Sequence, residues 1–262
     1  MVHTLVVFFI FLLMSLFCHR ASATPMSELR LLTEQWVPVS YEKNGVNTGF
    51  AVELVNQLQI IIGSEQKVEV LPWARAMSIA NSTPNVMLFA TSINKARRKS
   101  FDFVGPIITS NISLYAKAND NIELNDVSQL KTAGHIGAYR GSIGASMLKE
   151  LGLDQLLISS FPTQSAKQLL RGRIRLWCQA DIAVNSLLDE IGSNLDAIKP
   201  VLVISEISLY LAFSKGTQLS VIETWDNALT EYKRSGKFRR LYFLWFGELP
   251  VPETAKLIRR EK

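Results

Sequence analysis

Histidine and cysteine are nearly missing from this chain. Its 262 residues hold three histidines, His3, His19 and His135, and two cysteines, Cys18 and Cys178. A zinc centre or a serine–histidine pair needs several convergent side chains, which so few candidates do not supply. There is also no Cys-x-x-Cys, no Gly-rich phosphate loop and no long low-complexity stretch. No metal, no cofactor and no catalytic residue is therefore expected. Long apolar runs are missing too. The only extended one, Leu5 to Phe17, is too short to span a bilayer comfortably.

That run sits at the amino terminus and is followed by Cys18-His19-Arg20-Ala21-Ser22-Ala23. Ala21-x-Ala23 is the small-residue pattern that signal peptidase cuts after. Residues 1–23 read as a cleavable signal peptide, which gives a mature start near Thr24 and a periplasmic location. A lipoprotein anchored at Cys18 is the rival, although Phe17 is bulky where such sites want a small residue. An uncleaved anchor is the other. Cleavage would leave Cys178 without a partner, so no internal disulfide is expected and stability must come from the core. About 240 residues suffice for a large core or for two lobes. The formal net charge of the whole chain is +5. Loss of the leader removes one arginine and no acid, leaving +4 spread along the chain. That is a solvated surface, not a nucleic-acid footprint.

The mature chain alternates short β-rich runs with helical patterns, which predicts an α/β fold with mainly parallel sheets. Strands are expected at 29–33, 67–71 and 85–90, with helices over 49–58, 74–80 and 92–99 between and after them. Residues 101–117 read as extended, broken at Gly105-Pro106. The pattern then restarts, with strands at 135–139, 155–159 and 174–178 and helices over 145–151, 164–170 and 184–191. Residues 201–213 are extended again, and two amphipathic helices follow, over 219–235 and from Lys237. Two α/β units joined by two long extended segments make a hinge if Ile112–Lys117 and Ile207–Phe213 both cross between lobes. The cleft then lies at the carboxyl ends of the strands, where open α/β sheets bind ligands.

Several stretches, in order, carry a resemblance. They are Trp36-Val37-Pro38 with Gly49-Phe50-Ala51-Val52-Glu53-Leu54, Pro72-Trp73-Ala74-Arg75-Ala76, and Ser92-Ile93-x-x-x-Arg97. Phe101-Asp102-Phe103-Val104-Gly105-Pro106 and Arg140-Gly141-Ser142 follow, then Leu170-x-Gly172-Arg173-Ile174 and Leu211-Ala212-Phe213-Ser214-Lys215. The chain resembles the type II periplasmic solute-binding proteins, in the branch serving amino-acid transporters of the ATP-binding-cassette kind. The resemblance implies a two-lobed fold with a hinge of two crossing strands. Lobe one would be residues 24–113 plus 207–262, and lobe two residues 114–206. The expected ligand is an amino acid or related carboxylate. The expected partner is a permease or a sensor ectodomain, and the protein is expected to be a monomer that binds no nucleic acid.

The resemblance implies that Arg97 grips the ligand's carboxylate, for which a guanidinium offers a bidentate fork. Taken from the run Lys95-Ala96-Arg97-Arg98-Lys99 alone, Arg97 reads as a surface cation, and Arg98 and Lys99 keep that reading. Ser92 is either a ligand contact or the cap of the following helix. Trp73 is an aromatic wall or a core residue. Arg75 is a second donor or a bridge between lobes, and Tyr41 is a further aromatic candidate beside Trp36. Ser142 contacts the ligand or merely caps a helix, and Arg140 faces the cleft or pairs at its rim. The family's ammonium-binding acid falls to Asp181, whose competing role is to cap the helix near Val184. Arg175 stands where relatives usually carry Asp, which puts a standard α-amino acid in question. Cys178 reads as buried and inert, and His135 as structural. A lyase or dehydratase on the same fold is the enzyme alternative. Its general acid or base would be Glu53, Asp181 or Glu206. A sensing subunit without transport is the third class.

Overall fold

The computed structural model describes residues 29–247 and 249–261. The expected signal segment, its cleavage site and Cys18 lie outside the described residues. The first unit begins with β1 (Arg30–Glu34), a small hairpin of β2 (Tyr41–Lys43) and β3 (Val46–Thr48), then α1 (Phe50–Ile62) and β4 (Val68–Leu71). It continues through α2 (Trp73–Ser82), β5 (Val86–Ser92) and α3 (Lys95–Ser100) into β6 (Phe101–Lys117). The second unit holds β7 (Ile136–Tyr139), α4 (Ile143–Glu150), β8 (Leu156–Ser159), α5 (Pro162–Leu170), β9 (Leu176–Ala180) and α6 (Asp181–Glu190). The chain returns along β10 (Ile198–Ser214) and closes with α7 (Leu219–Arg234), α8 (Lys237–Phe246) and β11 (Lys256–Ile258).

Local chemistry explains these elements. All seven residues of β5 are buried, as in a strand covered on both faces. α1 buries Leu54, Val55 and Leu58 at helical spacing and stops at Gly63, whose φ of 73° closes the last turn. The start of α3 is capped by Asn94, whose side chain accepts from the Arg97 amide at 2.8 Å. Phe50 anchors α1 to α8, with ring centroids 5.3 Å from Tyr242 and 4.9 Å from Phe246.

The strand order is β4-β1-β5-β10-β6-β9-β7-β8, with β11 on β6. The expectation of mainly parallel sheets is corrected. Parallel pairing is confined to β4-β1-β5 and to β8-β7-β9. Between these triads β5, β10, β6 and β9 pair antiparallel. The reason is topological. A chain that leaves one lobe on β6 and comes back on β10 must run in opposite directions, so the two crossings zip together antiparallel along most of their length. The fold is thus two lobes joined through one long ladder. The expected break at Gly105 does not end β6. Gly105 has φ of 145°, and a Cβ there would lie 2.9 Å from the Tyr210 ring, so glycine lets the two crossings pass closely.

The carboxyl-terminal segment holds the other departures. β11 pairs with β6, and Asp102, wholly buried, is bound by Arg259 at 2.9 Å and by Arg260 at 2.5 Å. Lys233 donates to the carbonyls of Pro106, Pro252 and Thr254. Arg98 is not a free surface cation. It donates to the Arg259 carbonyl at 2.5 Å and meets Glu261 at 3.5 Å. β9 starts two residues later than predicted, which leaves Arg175 outside the strand and paired with Asp120 at 3.0 Å.

Candidate binding site

The loops at the strand ends of both lobes meet, and Arg97 is at the meeting point. Residues Ser92 to Arg97 turn from β5 into α3, which folds the arginine back beneath the strand end. Only 7 % of Arg97 is exposed. Its Nη1 donates to the Ser92 carbonyl at 3.0 Å and to Ser92 Oγ at 2.7 Å. Its Nη2 crosses to the second lobe and donates to the Gly141 carbonyl at 2.8 Å. Trp73 converges on the same oxygen, with its indole N–H at 2.8 Å, and its ring carries the Arg97 guanidinium at 5.0 Å. Burial lowers the Arg97 pKa to about 10, with Tyr139 and Glu34 opposing. The surface reading of Arg97 is therefore corrected: the basic run lies on a short helix whose third residue points inward.

The other expected residues take different places. Ser92 is not the cap of α3, since Asn94 takes that place, and its hydroxyl serves Arg97. Ser142 is buried and caps α4, accepting from the Ala145 amide at 3.1 Å. Asp181 is the first residue of α6 and makes no cap bond, so the capping role is corrected. Its carboxylate accepts instead from Tyr115 Oη at 2.7 Å and from Asn111 at 3.2 Å. Burial, then Asp181, pushes the Tyr115 hydroxyl far above its ordinary range. Arg75 and Arg140 are exposed, and neither forms an ion pair among the described residues, so no bridge between lobes runs through Arg75. Tyr41 lies half-buried in the β2–β3 hairpin. Cys178 is buried and its thiol pushed up to about 12 by desolvation, while His135 is exposed.

Beside this junction lies a cavity of about 420 Å³. One wall comes from Glu34, Glu42 and Trp73 of the first lobe, the other from Tyr139, Phe161 and Glu190 of the second. Glu34 is 5 % exposed, and its one side-chain hydrogen bond, from Tyr139, is 3.5 Å long. Burial raises its pKa to about 8, against the pull of Arg97 and of Tyr139. Burial, with Glu34 adding, raises the Tyr139 hydroxyl well above its usual value. Sequence reading missed Glu34, Tyr139 and Phe161. One signal was present: Glu34 ends the first strand of a parallel unit, where ligand-facing groups collect. The acids weighed for an enzyme lie elsewhere. Glu53 accepts from Trp245 at 3.0 Å, Glu206 is exposed on β10, and neither lines the cavity. Among the described residues no group of three His, Cys, Asp or Glu could hold a metal, and no helix is long and apolar enough to cross a membrane.

Comparison with known proteins gives a consistent set of likenesses. Residues 29–248 match the family described as bacterial extracellular solute-binding proteins, family 3. The L-cystine-binding protein TcyJ of Escherichia coli is 24% identical over 214 residues, covering 80% of this chain and 79% of that one. Among solved structures, a histidine kinase sensor domain with similarity to periplasmic binding proteins superposes with a TM-score of 0.76 at 18% identity. It covers 84% of this chain and 97% of its own. The arginine-, lysine-, histidine-binding protein ArtJ of Geobacillus stearothermophilus gives 0.73 at 18% identity, covering 84% and 96%.

Proposed function

The chain belongs to the bacterial extracellular solute-binding proteins, family 3, and from that premise we propose that it captures an amino acid or related small carboxylate between its lobes. It works in the periplasm and hands its solute to a permease of the ATP-binding-cassette kind. The relatives named for cystine and for basic amino acids support the ligand class. The boundaries proposed for the moving bodies are residues 24–113 plus 207–262 and residues 114–206, with β6 and β10 as the hinge.

One observation carries this reading. The Arg97 guanidinium and the Trp73 indole N–H aim at a single oxygen, which in the closed form belongs to Gly141 of the opposite lobe. If the lobes part, both donors lose that acceptor together. A carboxylate oxygen fits the vacated position, and its negative charge makes each hydrogen bond stronger than one to a peptide carbonyl. Arg97 is then the anchor, Trp73 the second donor and wall, and Ser92 the residue that holds the guanidinium in place. Ser142, buried next to Gly141 at the start of α4, brings a hydroxyl to the second lobe's side of the same junction. The solute stabilises closure because it contacts both lobes, whereas equal contacts in open and closed forms would shift nothing.

The test is small-angle scattering of solute-free protein titrated with a mixture of the standard amino acids, followed by the single components. The expected result is compaction at saturating ligand for one or a few of them. An unchanged profile with all, together with no heat on calorimetric titration, overturns the reading.

A further inference from the structure

The cavity beside the Arg97 junction is lined by charge of one sign. Glu34, Glu42 and Glu190 line it, and among the described residues no lysine, arginine or histidine does; Arg97 acts on Glu34 from outside that lining. Glu42 and Glu190 stand at the exposed rim, and neither has an ion-pair partner among the described residues. Glu34 lies at the floor. Among the described residues its only side-chain hydrogen bond is 3.5 Å long, whereas a good O–H···O bond is about 2.5–3.0 Å. A buried carboxylate is normally fully bonded or paired, so Glu34 is short of a donor on its cavity side. The remaining wall is aromatic. Tyr139 and Trp73 line the inner part, and Phe161 is 53 % exposed while lining the chamber, which places an apolar ring where a ligand's stem would pass. The volume lies within the range of about 300–1,000 Å³ typical of small-molecule sites. The three carboxylates do not form a metal cluster, so their spread suits an organic cation with some length.

We propose that this chamber selects solutes bearing a positively charged nitrogen, an ammonium or guanidinium on a short apolar stem, which Glu34 receives at the floor. The proposal rests on the binding reading above and narrows it from amino acids in general to those with a cationic side chain. Tyr139 and Trp73 supply faces and edges beside the cation, and the rim acids draw it in through long-range attraction. A neutral side chain of the same shape would give Glu34 no opposite charge, and an aliphatic one such as that of norleucine no donor either.

The test uses protein expressed from the full chain and freed of bound solute by partial unfolding and dialysis. Calorimetric titration compares L-arginine with its neutral isostere L-citrulline, L-lysine with L-norleucine, and agmatine, which is arginine without its carboxylate. The expected result is that arginine or lysine binds at least about 30-fold tighter than its neutral counterpart. Glu34→Gln should shrink that ratio to within about threefold. Should Glu34→Gln fold poorly, the exposed pair Glu42→Gln with Glu190→Gln should lower the arginine on-rate several-fold and flatten its salt dependence. Citrulline and norleucine binding as tightly as arginine and lysine overturns the cation proposal and leaves the amino-acid reading standing. Agmatine binding with no α-amino acid bound upholds the cation proposal and overturns the carboxylate reading. None of the cationic probes binding overturns the proposal outright.

Discussion

Two buried ionisable groups sit side by side in the cleft, and the chain treats them differently. Arg97 is surrounded by acceptors from its own protein: the Ser92 carbonyl, the Ser92 hydroxyl and the Gly141 carbonyl. Glu34, also almost wholly buried, has one stretched bond from Tyr139 and an open chamber in front of it. The desolvation of Arg97 is offset by the fold itself, and its ties hold the lobes together. The desolvation of Glu34 is met only in part, by the pull of Arg97 and one stretched bond, so its carboxyl keeps a proton up to about pH 8, and a ligand's cation would favour its ionised form. The satisfied guanidinium acts as a latch, and in the proposal above the unsatisfied carboxyl takes the part of a receptor.

The largest effect expected to break this contrast is Arg97→Ala. It removes the tie to Gly141 and leaves Glu34 beside no compensating charge. Loss of one partner in a buried charged network typically costs about 2–5 kcal/mol, or about 30-fold or more in affinity for a carboxylate solute. Arg97→Lys should restore little, because an ammonium does not reproduce the planar fork. Calorimetric titration with melting curves measures both variants.

Next comes pH. The Glu34 pKa lies at about 8 in the folded chain against an ordinary 4.5. Between those values the folded state keeps a proton that the unfolded chain releases. The solute-free protein therefore loses stability as pH rises through that window, with the loss complete above about 8. The groups facing Glu34 are Arg97 on α3 and Tyr139 on β7, with Glu42 and Glu190 farther out in the same chamber. Melting temperatures should fall from pH 5 to pH 8.5 more steeply in the parent than in Glu34→Gln. Affinity for a cationic solute should rise over the same interval as Glu34 ionises. Equal slopes for parent and variant would place the titration elsewhere.

A smaller effect is expected from Gly141→Ala. Gly141 has φ of 76°, and a Cβ would come within 3.2 Å of the Trp73 ring. The left-handed backbone alone disfavours alanine by about 1–2 kcal/mol. Closure should weaken and scattering should report a larger mean radius without ligand. The smallest effects belong to Arg75→Ala and Arg140→Ala, whose side chains are exposed and form no ion pair among the described residues, with affinity expected within about twofold of the parent. Arg98→Ala should loosen the carboxyl-terminal strand and raise its amide exchange while leaving affinity unchanged.

Much of this fold was legible because it is repetitive. Apolar runs such as Val86–Ala90 and the spacing of Val221, Ile222 and Trp225 report element type directly, and two βα units with two long extended segments imply two lobes. Pairing direction across the ladder was not legible, since it depends on a return over about a hundred residues of chain. Arg97 was singled out through the family resemblance, on the stretch Ser92-Ile93-x-x-x-Arg97, and its run of basic neighbours alone would have hidden it. Glu34 was missed for the opposite reason. Nothing local marks a glutamate as buried, and its environment is assembled from Tyr139 and Phe161, more than a hundred residues away. Arg98 and Asp102 were misjudged or passed over because their partners, Arg259, Arg260 and Glu261, arrive from the far end of the chain.

The central claim is that the cleft holds a carboxylate at the Arg97 latch and a cation in the Glu34 chamber of one and the same solute. Native mass spectrometry of the protein purified from cells, followed by denaturation and identification of what is released, tests this in one step. The account predicts a one-to-one complex that frees a small molecule carrying both a carboxylate and a basic nitrogen beyond the α-amino group. Release of a neutral or acidic solute from the same protein would contradict it.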